Sequence, residues 1–509
     1  MESIFRYLYS RKVLLAILAI SGIGFIISMW HRFAYIDDCF FGEQAYWLAK
    51  TGIVHTKSIQ VGLGWDERLF VYHKLNIWFG ALIIQTFGWS IYYFKMFTLL
   101  VYLSFFFVLK RYLKLHQNQY PPESFLIVCV LVFANPLMFI YGFTYRPEIL
   151  VMFFGFISFM AIENVRTGIS KPTYWAILAG IASGLAFLTH LNGIIFGVSS
   201  FFYLVIYRKY KELPGFVIAA LIIASVYFID LLPAGNLERF LIQLRNWPDA
   251  VSGNYLSGKS LFESVFLKLV SEHTRFFWSD RVLAFSCLFF VSVILSFKHI
   301  IANYKPLLIY TGMLIIFLNL LGSQIAERYL IYYLPMMALI ITISISHLLK
   351  QKRYNWLALS SFILLLQFGL VLKHWSSIMK ENSGFTAIHQ EIGSLLPGSH
   401  PKVLAPYPYI FNEISKASIL TYHSLEYFEV IQNKKLSGSD ALIRCKELGI
   451  DYIIVAKGLE NDREKIRWFE PALLGYDLNY KVFKSYKGYT ILSAMNHNTE
   501  NINAGQSVH

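Results

Sequence analysis

Apolar runs long enough to cross a bilayer recur along the chain, and no other feature limits its fold so strongly. They lie at about 12–30, 91–109, 124–143, 147–163, 174–189, 192–207, 215–231, 280–297, 307–323, 329–348 and 355–373. Hydrocarbon offers backbone groups no hydrogen-bond partner, so open runs of this length fold as helices. The chain has 509 residues and is 56% hydrophobic and 15% charged, with a mean hydropathy of +0.50, more than any ordinary soluble domain requires.

A further stretch, Leu75 to Gly88, is short for a crossing and holds Asn76 and Gln85. Charge decides its place. With this stretch outside the bilayer and the N-terminus cytoplasmic, the inner connectors hold Arg6/Arg11/Lys12, Lys110/Arg111/Lys114, Arg166/Lys171, Arg208/Lys209/Lys211, Lys298/Lys305 and Lys350/Lys352/Arg353. Letting 75–88 cross inverts every later loop against the positive-inside bias. The expected architecture is a polytopic α-helical membrane protein with about eleven transmembrane helices, and 75–88 as an outer juxtamembrane helix. The formal net charge of +14 belongs to this loop bias and does not point to nucleic acid. Cys39, Cys129, Cys287 and Cys445 form no close pair, so neither a disulfide framework nor a metal knuckle is indicated.

Three segments fall outside: 31–90, 232–279 and everything after about 374. The expected organisation is a membrane domain over 1–375, a small outer α/β domain over 376–492 and a disordered tail over 493–509. Lys402–Ala405, Ala417–Leu420 and Asp451–Ala456 read as strands. Asp440–Leu448 reads as a helix closed by Gly449, and Lys481–Ser493 as two strands around Lys487-Gly488.

The outer segments carry the residues with chemistry. Asp37-Asp38 follows the first apolar run almost without a gap, placing carboxylates at the bilayer surface. If the reaction is glycosyl transfer from a lipid phosphate, an Asp there can take the proton of the acceptor hydroxyl as the sugar C1 is attacked. A phosphate leaving group is already stable as an anion, so one base would suffice, and direct displacement would invert the anomeric centre. The bland alternative is that an outer loop simply needs polar residues. Glu43 lies on a helix running to Lys50 and ended by Gly52, either supporting the site or solvated. Arg68, His73 and Lys74 offer a docking edge for a lipid phosphate, or interfacial anchors.

Arg146 and Glu148 occupy a tight turn beside hydrocarbon, where charge is expensive. They either pair with each other or face a pocket, with Arg146 on phosphate and Glu148 in support. His190, in the turn Thr189–Gly193, caps helices or lines that pocket. Arg328 stands at a helix start, where the dipole disfavours a cation, so it needs an anion; Glu327 and a lipid phosphate are the candidates. Tyr329 and Tyr333 follow it as pocket candidates. The 232–279 segment, with Arg239, Arg245, Trp247, Asp249, Glu263, His273 and Arg275, reads as surface helices covering the pocket.

Asp37-Asp38 followed by Ala45 and Gly52 resembles the first outer loop of the GT-C-type glycosyltransferases that use polyprenyl-phosphate sugars. The likeness is to the protein-mannosyltransferase and aminoarabinose-transferase superfamily, in its bacterial branch. Asp37 stands where the catalytic Asp is expected, and Asp38 where that family usually has Glu. Tyr72-His73-Lys74-Leu75, then Phe87-Gly88, resembles the family's His-Pro-Pro-Leu and short helix, without the prolines. Arg146-Pro147-Glu148 looks like its Arg-Pro-acid turn. Gly180 to Gly193, with Gly184 and Leu185, looks like its Gly-x-x-x-Gly-Leu helix and following turn, with His190 in place of Lys. Arg328-Tyr329 with Pro335 looks like its late Arg-Tyr…Pro helix. The ordered set spans about residues 12–375.

The resemblance implies a GT-C-type fold with its site at the outer membrane surface and an inverting transfer from a polyprenyl-phosphate sugar. It makes Asp37 the base, with Asp38, Glu43 and Glu148 as supporting acids. Arg68, His73, Lys74, Arg146 and Arg328 would hold the lipid phosphate, with His190, Tyr329 and Tyr333 lining the pocket. Some members bind a divalent metal, for which Asp38, Glu43 and His73 are candidate ligands; no other cofactor is implied. The acceptor would be a glycolipid, a polysaccharide or a protein, and the location a bacterial inner membrane. The rival readings are a secondary transporter, which would place its polar breaks at mid-membrane depth in paired halves, and a lipid-linked polysaccharide polymerase or ligase.

Overall fold

The computed structural model describes residues 2–60, 62–247, 261–322, 325–380, 384–456, 468–470 and 479–495. A short helix α1 (Glu2–Leu8) leads into the first span, α2 (Arg11–His31). Helices α3 (Ile36–Thr51) and α4 (Lys74–Phe87) follow, so the 75–88 stretch is a 14-residue helix. Gly52, at φ 74°, ends α3 in the left-handed conformation that a residue without Cβ adopts readily.

The remaining apolar runs all land on helices. Helix α5 (Ile91–Leu115) is continuous, whereas the 124–143 run is broken into α6 (Ser124–Phe133) and α7 (Pro136–Tyr141). Pro136 cannot extend α6, and the Asn135 side chain caps the new start by accepting from Leu137 N. Helices α8 (Pro147–Thr167), α9 (Pro172–Thr189), α10 (Ile194–Ile206) and α11 (Leu213–Ser225) complete the first half, the last extended by a 3-10 turn to Leu231. A Cβ on Gly184 would meet Ile223 Cβ at 2.6 Å, and one on Gly180 the Ala219 Cβ at 2.9 Å. The Gly-x-x-x-Gly pattern is therefore a packing face that lets α9 approach α11 closely.

The 280–297 and 307–323 runs are joined in one helical stretch, Asp280–Leu321, rather than separated by a coil. It bends where Ser296 and Tyr304 leave helical geometry, beside Pro306. Helices Leu334–Lys350 and Tyr354–Met379 close the bundle. Among the described residues seven helices are long and apolar enough to cross a membrane, and Ser124–Phe133, Leu191–Ile206 and Leu334–Lys350 are shorter apolar ones. The bent stretch supplies two runs, so the chain is a multi-pass membrane protein of the expected size.

The described residues of the C-terminal segment form a five-stranded mixed sheet in the order β2-β1-β3-β5-β4. Its strands are β1 (Lys402–Ala405), β2 (Ser418–Thr421), β3 (Tyr452–Ala456), β4 (Tyr480–Tyr486) and β5 (Tyr489–Ala494). β1 pairs in parallel with β2 and β3, and β5 runs antiparallel to β3 and β4. The expected 440–448 helix begins earlier, at Gly438, under a capping box of Ser437 and Asp440. The expected tail begins two residues too early, because β5 runs to Ala494; residues 496–509 lie outside the described set.

The sheet does not stand apart from the bundle. Val403, Ala405 and Ile454 share one hydrophobic core with Cys39, Ala45 and Tyr46 of α3 and with Ile77 of α4. Ser58 O accepts from Thr421 N at 2.8 Å and from Ser424 Oγ at 2.9 Å. The C-terminal domain is thus fixed over the α2–α5 connector.

Candidate active site

The site is built around the first turn of α3. Consecutive helical residues point about 100° apart, so Asp37 and Asp38 face different surroundings. Asp38 turns inward and is fully buried. Its Oδ2 accepts from Tyr35 N at 2.9 Å and its Oδ1 from Tyr145 N at 2.6 Å. Buried Arg32 lies 3.5 Å from it and also donates to Ile140 O at 2.7 Å and Thr144 Oγ1 at 2.6 Å. Asp38 and Arg32 therefore pin the turn before α8 to the start of α3.

That turn delivers Arg146 to Asp37, with which it forms a close ion pair. Arg146 also holds Glu148 through two bonds, Nη2–Oε1 at 2.7 Å and Nε–Oε2 at 3.0 Å. Arg328 approaches the same carboxylate at 3.5 Å. The two sequence readings of Arg146-Pro147-Glu148 thus hold together: the residues pair, and Arg146 faces a cavity. Of the two anions considered for Arg328, Glu327 is engaged by Arg281 at 2.8 Å, and Glu148 takes its place. The Asp37 side chain is 41% exposed, against 6% for Arg146 and 1% for Glu148, so Asp37 is the open carboxylate of the group.

Asp37, Arg146 and Arg328 line a cleft of about 260 Å³, together with His73, His190 and Tyr329. The two imidazoles stack with centroids 4.3 Å apart. Burial holds the His73 ring well below the usual histidine range, and neighbouring His190 adds to the effect. Burial pushes His190 down to about 4, against the pull of Glu148. Both rings are neutral at pH 7. His190 Nδ1 accepts from Asn192 N at 3.0 Å, which leaves the proton on Nε2.

Other expected site residues are placed elsewhere. Glu43 does not reach the cleft. It is buried and accepts from Thr56 Oγ1 at 2.6 Å, Lys57 N at 2.7 Å, Ser58 N at 3.0 Å, Trp47 Nε1 at 3.2 Å and Ser58 Oγ. Burial raises its carboxyl, and these hydrogen bonds oppose that shift. It organises the loop after α3 rather than supporting Asp37. Lys74 and Arg68 do not line the cleft either, because Asp230 pairs with both. Asp230 Oδ2 also accepts from Tyr72 OH at 2.8 Å, and Tyr72 and Tyr227 stand between this cluster and the cleft. Tyr333 is buried 6.1 Å from Phe276, away from the lining. Of the 232–279 segment, Trp247 and Leu244 reach the cleft; Asp249 lies outside the described residues.

Asp38, Glu43 and His73 do not converge on a metal position. The two carboxylates spend their oxygens on the partners above, and His73 stacks on His190 and packs at a tilt against Phe41. Among the described residues no group of three His, Cys, Asp or Glu side chains is placed to hold a metal ion.

Sequence reading missed several lining residues. Gln44, Tyr407, His423 and Tyr427 all face the cleft, the last three from the C-terminal domain. Gln44 carried one signal: it stands seven residues after Asp37, two helical turns along the same face. The three from the sheet domain carried none, because only the tertiary fold brings them near α3.

No family model matches the sequence, and no curated protein matches it. Solved structures do match along nearly the whole chain. ArnT from Cupriavidus metallidurans, bound to undecaprenyl phosphate, aligns over 95% of this chain and 98% of its own, at 12% identity and a TM-score of 0.62. The chain has the GT-C fold. An Archaeoglobus fulgidus oligosaccharyltransferase tethered with an acceptor peptide aligns over 94% of this chain and 73% of its own, at 11% identity and a TM-score of 0.56. The mycobacterial arabinofuranosyltransferase AftD aligns over 95% and 40%, at 10% identity and a TM-score of 0.51. The likeness extends through the C-terminal sheet, beyond the region where sequence motifs were recognisable.

Proposed function

We propose that the protein is an inverting glycosyltransferase that moves a sugar from a polyprenyl-phosphate donor to a hydroxyl acceptor, at the outer face of a bacterial cytoplasmic membrane. The observation that carries the reading is the half-exposed Asp37 carboxylate set against two arginines in a cleft at one end of a GT-C bundle. Solved neighbours of the same fold bind undecaprenyl phosphate or dolichol phosphate, which supports a lipid-phosphate donor.

In this mechanism the acceptor oxygen attacks the sugar C1 and the C1–O bond to phosphate breaks. The acceptor proton passes to Asp37, and polyprenyl phosphate leaves as an anion. Arg146 and Arg328 stabilise that anion; preorganised cations in a desolvated site act strongly on developing charge. Glu148 holds both arginines in place. A retaining route needs a second poised carboxylate, and Glu148 is buried and engaged twice by Arg146. The neutral imidazole of His190 has Nε2–H to donate to a phosphate or sugar oxygen. Asp230 keeps Arg68 and Lys74 as a fixed positive field behind Tyr72.

A panel of radiolabelled polyprenyl-phosphate sugars, given to the purified protein in lipid nanodiscs with an added membrane extract, tests the class. Extract-dependent release of polyprenyl phosphate from one donor is expected. Absence of release from every donor by well-folded protein would turn the reading toward transport or a diphosphate donor.

A further inference from the structure

The cleft is chemically asymmetric. Its charged groups gather at the first turn of α3, where Asp37 meets Arg146. Gln44 lies two turns further on, about 10 Å along the helix axis. Gln44 is only 1% exposed, yet neither its amide nitrogen nor its amide oxygen has a hydrogen-bond partner. A buried amide left unsatisfied is costly, and such groups are kept where a ligand completes them. Because both its donor and its acceptor are open, it matches a pair of hydroxyls, each of which gives one hydrogen bond and takes another.

The wall around this end is aromatic. Tyr407 lies within electrostatic reach of Glu43 and Tyr427, which puts it beside this part of α3. His423 packs edge-on to Tyr407 at 4.6 Å and to Tyr427 at 5.9 Å. Trp247 closes the wall, held by stacking on buried Trp65 at 4.7 Å. The two lining arginines pair with Asp37 and Glu148. Flat apolar rings next to a polar amide suit the C–H face and hydroxyl edge of a pyranose or furanose ring. Among the described residues that line the cleft, the permanent cations are Arg146 and Arg328, and these are engaged with Asp37 and Glu148 at the other end.

We infer that Gln44 and this ring wall form the acceptor subsite, and that the acceptor presents a neutral sugar ring. The inference rests on the glycosyltransferase reading and adds to it the chemical class of the acceptor. It also gives the C-terminal domain a role, since Tyr407, His423 and Tyr427 complete the subsite.

The test is calorimetric titration of the full-length protein, in nanodiscs of neutral phospholipid containing undecaprenyl phosphate. The probes are methyl glycosides of common hexoses, pentoses and N-acetylhexosamines, set against sugar phosphates and uronic acids. At least one neutral glycoside is expected to bind more tightly than its anionic counterparts. Gln44→Met and Tyr427→Ala are each expected to weaken it about tenfold or more, with undecaprenyl phosphate binding unchanged. Preference for anionic sugars, no binding of any neutral glycoside, or wild-type affinity in both variants would overturn the subsite. If undecaprenyl phosphate still bound in that case, the glycosyltransferase reading would stand without it. Failure of the wild type to bind undecaprenyl phosphate would remove that reading and the subsite together.

Discussion

Asp38 Oδ1 accepts a hydrogen bond from the backbone N–H of Tyr145 at 2.6 Å, and this bond brings their chain neighbours Asp37 and Arg146 into contact. Two adjacent aspartates thus divide the work, one holding the scaffold and one facing the cleft. Removing the Asp38 carboxylate leaves buried Arg32 uncompensated, which costs about 3–5 kcal/mol. Asp38→Ala is expected to lower the melting temperature sharply, and Asp38→Asn, which keeps one acceptor oxygen, to lower it less. Equal melting temperatures for wild type and Asp38→Ala in nanodiscs would show that the pin carries no load.

Arg146 clamps Glu148 with two parallel bonds while pairing with Asp37. A lysine ammonium is a point charge and cannot reproduce that fork. Arg146→Lys is expected to fold and to weaken undecaprenyl phosphate binding by about tenfold or more, in line with the loss of a charge-assisted hydrogen bond. Titration of the lipid phosphate into both proteins decides it, and equal affinities would contradict the assignment.

His73 and His190 are held neutral by burial, among Glu148, Arg146 and Arg328. Their folded values lie below the unfolded histidine value of about 6.5. Between the two values the unfolded chain binds protons that the folded chain refuses, so acid favours unfolding. Stability from this pair is complete above about pH 6.5 and declines as the pH falls below it, for His190 toward about 4, by at most about 1.4 kcal/mol per pH unit for each ring. His190→Asn is expected to flatten the decline over that window. Parallel melting curves for variant and wild type would count against neutral imidazoles.

Much of the fold was legible because it follows from period and length. Apolar runs of membrane length marked the helices, and short apolar runs with Gly punctuation marked the strands almost to the residue. Arg146 and Glu148 were legible because charge beside hydrocarbon demands a partner close by. The partner of Arg68 and Lys74 was not, since Asp230 lies more than 150 residues from Lys74 and no local pattern names it. The resemblance set Asp37 apart from Asp38, but a one-residue step changes the face of a helix, and only the packed turn at Tyr145 shows which side is inward. Glu43 looked like a site acid for the same reason.

Glu43 gathers four hydrogen bonds from the loop following α3 and one from Trp47 on α3 itself, and it does not line the cleft. Glu43→Ala strands those donors, at about 1–3 kcal/mol for each one left buried and unpaired. The variant is expected to melt early while its folded fraction turns over donor at the wild-type rate. A loss of turnover at an unchanged melting temperature would instead make Glu43 a participant in the chemistry.

The central claim is that Asp37 receives the acceptor proton. Its most direct test is single-turnover transfer by Asp37→Asn in nanodiscs, using the donor and acceptor that the wild type uses, with folding and undecaprenyl phosphate binding checked alongside. The expected result is a rate reduced by about 10²–10⁴, the usual worth of a positioned general base, with lipid-phosphate binding retained. Transfer by Asp37→Asn at the wild-type rate would contradict it.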